Sequence, residues 1–333
     1  MSWAALNEAY NKHGIFLALG AGVSLGSSLP TWLELMRRLS VDLLARGTEL
    51  DELRSFGFTL PAIAGILRSR CSSDSDFAEK VRQSLYRDFP FFPGGVGKLN
   101  RSEFVQYVKI NNPTLRAVAS LCAMRHPGER LFSCNPGIRA IVTFNLDALL
   151  QAYVYARYEK RLLRTIERAS ASHVPEKISI YHMHGFLRFD EKRGDAAREA
   201  ADKIVFTEHA YFDFFNSPTS MFNYTFLHLL RETPCLFMGL SLQDENIRRL
   251  LHYSRRERIR SLCEEGEPLE KAEAKSLRHF AVLRTHSEVV DSLVECSLQQ
   301  LGITVLWVND FEEVPDQLAE MYESAGMEWS LVH

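Results

Sequence analysis

Gly14-Ile15-Phe16-Leu17-Ala18-Leu19-Gly20-Ala21-Gly22-Val23-Ser24 is an apolar run of strand length that stops at a small-residue turn, and a helical pattern resumes after Pro30-Thr31-Trp32. Glycine at such a junction lets the backbone come close to a phosphate, and a following helix points its free N–H groups at it. The helix dipole adds about half a positive charge at that end, worth about 0.3–1 kcal/mol to an anion. Many strand-to-helix turns carry glycine for purely steric reasons. The turn gains its meaning from three later segments: Phe144-Asn145-Leu146-Asp147, His182-Met183-His184-Gly185 and Gly239-Leu240-Ser241.

Outward from this turn, short β-rich runs recur near Ile15–Leu19, Ala140–Thr143, Ile178–His182, Cys235–Met238, Phe280–Leu283 and Ile303–Val308. Helical patterns follow most of them, at Trp32–Leu44, Ala148–Arg157, Glu245–Arg260, Glu288–Leu301 and Val314–Glu323. That alternation predicts an α/β fold, a Rossmann-like parallel sheet with helices on both faces. Such sheets gather their ligands at the carboxyl ends of the strands, where all four motif segments fall. The alternation breaks between about Glu49 and Pro136, where the pattern is mostly helical with turns at Pro90–Gly97 and Asn111-Asn112-Pro113. The chain therefore reads as one domain over 1–330 with a helical insertion subdomain over 49–136. Asp190–Asp202 reads as an exposed loop or small helix, and Cys263–Lys275 as a solvated segment.

Composition narrows the class. A chain of 333 residues with 46% hydrophobic and 24% charged residues has the make-up of a globular protein with ample core. The formal charge of −3 gives no global pull towards nucleic acid or anionic lipid. No stretch has the apolar length of a membrane span and Met1–Gly14 lacks a signal-peptide layout, so a cytoplasmic location is expected. Six scattered cysteines form no Cys-x-x-Cys pair, which argues against structural zinc and a disulfide framework.

The motif residues each have a functional reading and a plain one. Gly20-Ala21-Gly22 resembles the start of the dinucleotide fingerprint, but the next glycine, Gly26, comes one position late for G-x-G-x-x-G. No second strand ending in an acidic residue follows, which lowers the odds of hydride transfer. Ser24 can bond a phosphate or ribose oxygen, or simply cap a turn. Asn145 can hold a sugar hydroxyl or water and Asp147 an amide or developing cation, although both are also ordinary helix caps. His182 and His184 share one face of an extended segment, and no third metal ligand stands out beside them. With an ordinary pKa near 6.5 an imidazole suits a general base; Gly185 favours His184, and His182 reads as a packed or supporting residue. Gly239 and Ser241 repeat the first motif's design. The arginines between 248 and 260 read as the wet face of a helix, and the aromatic run Phe206–Phe215 as core packing under the site.

Taken in order, Gly20-Ala21-Gly22-Val23-Ser24, Phe144-Asn145-Leu146-Asp147, His184-Gly185 and Gly239-Leu240-Ser241 resemble the sirtuin family over roughly Gly14 to Asn309. The resemblance implies NAD+ bound as a substrate whose nicotinamide–ribose bond is cleaved. Gly20, Ala21, Gly22 and Ser24 would then cradle the pyrophosphate, Gly239 and Ser241 the adenosine side. Asn145 would hold the nicotinamide ribose and a water, Asp147 the carboxamide, and His184 would be the ribose-side base. Protein-deacylating sirtuins carry a four-cysteine zinc module after that histidine, whereas no cysteine lies between Cys134 and Cys235 here. Leu29-Pro30-Thr31-Trp32 stands where they have Asp-Phe-Arg. The helical insertion and Phe-x-Glu-x-x-Tyr (Phe206, Glu208, Tyr211) look instead like the sirtuin-like NAD+ hydrolases of bacterial antiphage defence, a branch without zinc. That resemblance implies a homo-oligomer acting with a HerA-type ATPase/translocase, while charge and hydropathy argue against a membrane or direct nucleic-acid partner. Two other readings stand beside it: an NAD-dependent protein deacylase, and a non-catalytic module sensing NAD or ADP-ribose.

Overall fold

A computed structural model describes residues 3–44, 49–92, 100–123, 137–158, 162–166, 177–189, 204–216 and 221–324. Seven strands form one wholly parallel sheet: β1 (Ile15–Leu19), β2 (Ile138–Thr143), β3 (Leu163–Ile166), β4 (Ile178–His182), β5 (Cys235–Met238), β6 (His279–Arg284) and β7 (Ile303–Val308). Their order is β3-β4-β2-β1-β5-β6-β7. The chain thus builds one half of the sheet outward from β1 and returns across it to build the other. The reversal at β1 creates a crevice beyond its carboxyl end, where open α/β sheets bind ligands.

The central strand shows why both faces must be covered. All five of its residues are buried. Ile15, Leu17 and Leu19 point into one core, and Phe16 and Ala18 into the other, the period-two alternation of a strand. The first core takes Leu6 and Tyr10 from the helix Trp3–His13, Leu35, Met36 and Leu39 from Trp32–Leu43, and Leu318 and Met321 from Val314–Ser324. The second takes Phe226 and Leu230 from Met221–Glu232, Ile247, Leu250 and Leu251 from Glu245–Glu264, and Leu298 from Glu288–Gln299. Each such Leu or Phe contributes about 1.5–3 kcal/mol by leaving water. The α/β, Rossmann-like fold with helices on both faces is therefore the one the sequence implies.

Between β1 and β2 lie helices at Glu49–Ser55, Leu60–Arg68, Asp74–Leu85, Arg101–Asn111 and Pro113–Ala123. The chain turns at Asn112, just before Pro113, which cannot donate to a preceding helix. The loop after β1 departs from a simple strand-to-helix turn. It makes two 3-10 turns, Ala21–Val23 and Leu25–Ser27, before the helix begins at Trp32. The first N–H groups of that helix face Thr31, whose hydroxyl accepts from the Glu34 N–H at 3.3 Å. This helix is thus capped by its own Thr31 and separated from the glycines by the two 3-10 turns. The helices Trp3–His13 and Met221–Glu232 and the half-buried strand β3 were not evident in the sequence. Within the segment read as solvated, Leu269–Lys275 is helical and buries Ala272 alone. The polar stretch Asp190–Asp202 lies outside the described residues. Among the described residues no helix is long and apolar enough to cross a membrane.

Candidate active site

Sheet register brings the four motifs together. Leu19 pairs with Thr143 on one side and Met238 on the other, and Thr143 pairs with His182. These four residues form one row across the sheet, so each motif starts at or just beyond the same edge. Bonds extend the row outward: Phe144 N–H to the Leu19 carbonyl (3.0 Å), Met183 N–H to that of Thr143 (2.9 Å) and Gly20 N–H to that of Met238 (2.9 Å).

The glycines prove to be required by loop–loop contact. A Cβ on Gly20 would sit 2.4 Å from the Gly239 carbonyl oxygen, and one on Gly22 2.6 Å from the Gly239 Cα. Gly239 itself has φ +67°, a left-handed conformation that costs an L side chain energy. The Gly22 N–H donates to the Gly239 carbonyl at 3.0 Å, and the Val23 and Ser24 N–H groups bond within the turn. Gly20, Ala21, Gly22 and Gly239 therefore lie side by side, their loops locked together. Ser241 is exposed beyond them.

Ser24 points into the protein. It is 3% exposed, and its hydroxyl donates to Asp147 Oδ2 at 2.8 Å. Asp147 Oδ1 accepts the Leu149 N–H at 3.0 Å, capping the helix Leu149–Tyr158. Burial pushes the Asp147 carboxyl above the usual carboxylate range, while these bonds oppose the shift.

Asn145 is half-buried, with its Nδ2 donating to the Gly20 carbonyl at 3.0 Å and approaching Ser24 Oγ at 3.4 Å. A carbonyl can only accept, so this bond fixes which way the amide faces. No hydrogen bond to its Oδ1 is made among the described residues. A partly exposed acceptor is thus held in a rigid frame at the centre of the row. Beneath it, His182 is 2% exposed, with Nδ1 3.2 Å from the Asn145 carbonyl and Nε2 2.6 Å from Gln151 Nε2. The carbonyl requires a proton on Nδ1, which leaves Nε2 to accept from the Gln151 amide. Burial drives its pKa down to about 4, so His182 is a neutral pin for the Asn145 loop. A cavity of about 10 Å³, the size of one water, adjoins Ser24, Thr143, Asn145, Asp147, Gln151 and His182.

His184, on the loop after β4, is half-buried, with its ring centroid 5.2 Å from Phe144 and 5.4 Å from Tyr211. Burial lowers its pKa, and the charge of Asp244 pulls it back up. Tyr211 donates to Asp244 Oδ2 at 3.3 Å. The aromatic run thus divides: Phe206 is core against Trp32 and Phe77, Phe212 is 51% exposed, and Tyr211 belongs to the site.

Three further residues hold the loops, each with at least one partner far away in sequence. Tyr86 is fully buried; its phenol oxygen accepts the Ala148 N–H at 2.9 Å and donates to the Leu187 carbonyl at 2.7 Å. It bridges the loop of Asn145 to the loop of His184. Asn112 donates to the Val23 carbonyl (3.0 Å) and Ser27 Oγ (2.9 Å) and accepts the Leu115 N–H (2.9 Å), tying the first motif to the inserted helices. Asp244 follows the Gly239 motif directly and caps the helix Glu245–Glu264, its Oδ1 accepting the Ile247 N–H at 3.0 Å. Among the described residues no group of three or more His, Cys, Asp or Glu side chains could hold a metal ion.

The site therefore offers an oriented carboxamide oxygen and an imidazole on adjoining loops, in the crevice where such sheets hold nucleotides. No curated protein matches the chain. Residues 139–287, which carry Asn145, Asp147, His184, Gly239 and Ser241 but not the first glycine turn, match the family model described as the SIR2-like domain. This part of the chain is similar to sirtuin-like proteins, and the similarity points to an enzyme with NAD-related activity.

Proposed function

We propose that the chain is an NAD+ glycohydrolase: NAD+ and water yield nicotinamide, ADP-ribose and a proton. The observation that carries this reading is the Asn145 amide, held by the Gly20 carbonyl just beyond the strand row from which the His184 loop also leaves the sheet. Nicotinamide leaves as a neutral molecule from a cationic ring, so the barrier is formation of an oxocarbenium-like ribose. Groups held in place before the reaction supply the acceleration. Asn145 would hold the ribose and the attacking water, and His184 would take a proton on the ribose side. Asp147 would meet the carboxamide where the small cavity opens, with Ser24 bonded to it. The turn Gly20-Ala21-Gly22 would border the pyrophosphate, and Gly239 and Ser241 the adenosine.

With no cysteine between Cys134 and Cys235, the reading needs no zinc module and takes water, not an acyl-lysine, as acceptor. It places 49–136 as a helical insertion within one domain spanning 1–330. It further takes the enzyme as a cytoplasmic homo-oligomer that depletes NAD+ in antiphage defence under control of a HerA-type ATPase. Incubation with NAD+, with and without acetylated peptide, tests it. Release of nicotinamide and ADP-ribose without peptide, abolished by Asn145→Ala and by His184→Ala, is expected. O-acetyl-ADP-ribose formed only with peptide would make it a deacylase, and tight NAD+ binding without product a sensing module.

A further inference from the structure

The segment after β5 is built with unusual care for a simple helix start. Leu242 is 2% exposed yet adopts φ +55°, a strained backbone for a bulky residue. Its carbonyl is held by Arg248 Nη1 at 3.3 Å, and Arg248 Nη2 bonds Ser297 Oγ at 3.1 Å. Two residues on, both oxygens of Asp244 are committed. Oδ1 accepts the Ile247 N–H at 3.0 Å as the cap of Glu245–Glu264, and Oδ2 accepts the Tyr211 hydroxyl at 3.3 Å. A cap alone needs one oxygen and no charge, since Ser or Asn serves as well. The second oxygen and the full negative charge are instead directed towards Tyr211, whose ring packs at 5.4 Å on the His184 imidazole.

We propose that Tyr211 and Asp244 are positioning residues for His184. The Tyr211 ring sets the plane of the imidazole, and the fixed Asp244 carboxylate stabilises the imidazolium formed when His184 takes a proton. This rests on the proposed reaction: an O–H of the ribose or of the attacking water breaks, its proton binds a ring nitrogen of His184, and the ring gains the positive charge. The neighbours of the imidazole include Phe144 from the loop after β2, Tyr211 from the helix Glu208–Asn216, and Asp244 from the loop after β5. Of these three, Tyr211 and Asp244 titrate. Burial holds the Tyr211 phenol above its ordinary pKa, so it stays a neutral donor and Asp244 supplies the charge. The pair ties the adenosine-side loop to the general base, so the same segment that would border one end of the dinucleotide would tune the chemistry at the other.

The test is the titration of His184 followed by NMR in the full-length protein, together with the pH profile of NAD+ cleavage, in wild type and Asp244→Asn. Asparagine keeps the cap and the acceptor but removes the charge. The His184 midpoint is expected to fall by about 0.5–1 pH unit. The acidic limb of kcat should move the same way, and its plateau should drop about threefold to tenfold. Asp244→Ser, also a favoured cap, repeats the measurement should the asparagine variant not fold. A His184 midpoint unchanged in a folded, charge-free variant overturns the proposal, whatever the enzyme does. A shifted midpoint in a protein that leaves NAD+ intact supports the electrostatic pairing and defeats the hydrolase reading instead.

Discussion

Replacing Gly239 by alanine tests the loop apposition on which the site depends. The new Cβ would stand 2.6 Å from the Val23 nitrogen, 2.9 Å from the Gly20 carbonyl oxygen and 3.0 Å from the Gly22 carbonyl carbon. All three are backbone atoms, so no flexible side chain can swing aside. The φ of +67° adds a left-handed penalty of about 1–2 kcal/mol. Forcing an extra carbon into packed structure costs about 1–3 kcal/mol more, for a total of about 2–5 kcal/mol. Gly57→Ala separates the two contributions: Gly57 also has a positive φ, +91°, but no atom lies within 4 Å of its would-be Cβ. It should show the strain alone, about 1–2 kcal/mol. Urea unfolding of the two variants beside wild type, with NAD+ cleavage followed in parallel, reads both effects. Gly239→Ala no more destabilising than Gly57→Ala, with cleavage intact, would refute the locked-loop geometry.

Tyr86→Phe removes a phenol that bonds two buried backbone groups, so it should destabilise by about 2–4 kcal/mol in urea unfolding and slow NAD+ cleavage at saturating substrate. Unfolding free energy should also fall with acid. Burial depresses the folded pKa of His182 to about 4 and of His279 to about 3, while the unfolded chain takes up these protons near pH 6.5. Their contribution is thus present above pH 6.5 and lost as pH falls, at up to about 1.4 kcal/mol per pH unit for each histidine. His279→Gln, whose amide oxygen can accept the Cys235 N–H that Nδ1 now accepts, should lessen the slope measured between pH 6 and 4.5. An unchanged slope would contradict the assignment.

Much of this architecture can be read from residue order. Wherever a strand is buried on both sides it announces itself as an apolar run, as Ile15–Leu19 and Cys235–Met238 do. Leu163–Ile166 escapes because an edge strand of four residues, half-buried and holding Arg164 and Thr165, carries neither a run nor a clean alternation. Trp3–His13 buries only Leu6 and Tyr10, too little periodicity to mark a helix. Asn145, Asp147 and His184 stand out because strand ends followed by polar residues and glycine are rare enough to notice. Tyr86, Asn112 and the Tyr211–Asp244 pair do not, since their partners lie tens to a hundred residues away and no local pattern encodes such contacts. The inward turn of Ser24 is likewise a matter of register: only when Leu19 and Thr143 align does its hydroxyl meet Asp147.

We propose that this crevice cleaves NAD+ with Asn145 as a fixed acceptor. Chromatography of NAD+ incubated with the purified chain, alone and with a HerA-type ATPase, addresses it directly. Equal amounts of nicotinamide and ADP-ribose, absent with Asn145→Ala, are predicted. NAD+ left intact in both mixtures, or cleaved as fast by the alanine variant, would contradict it.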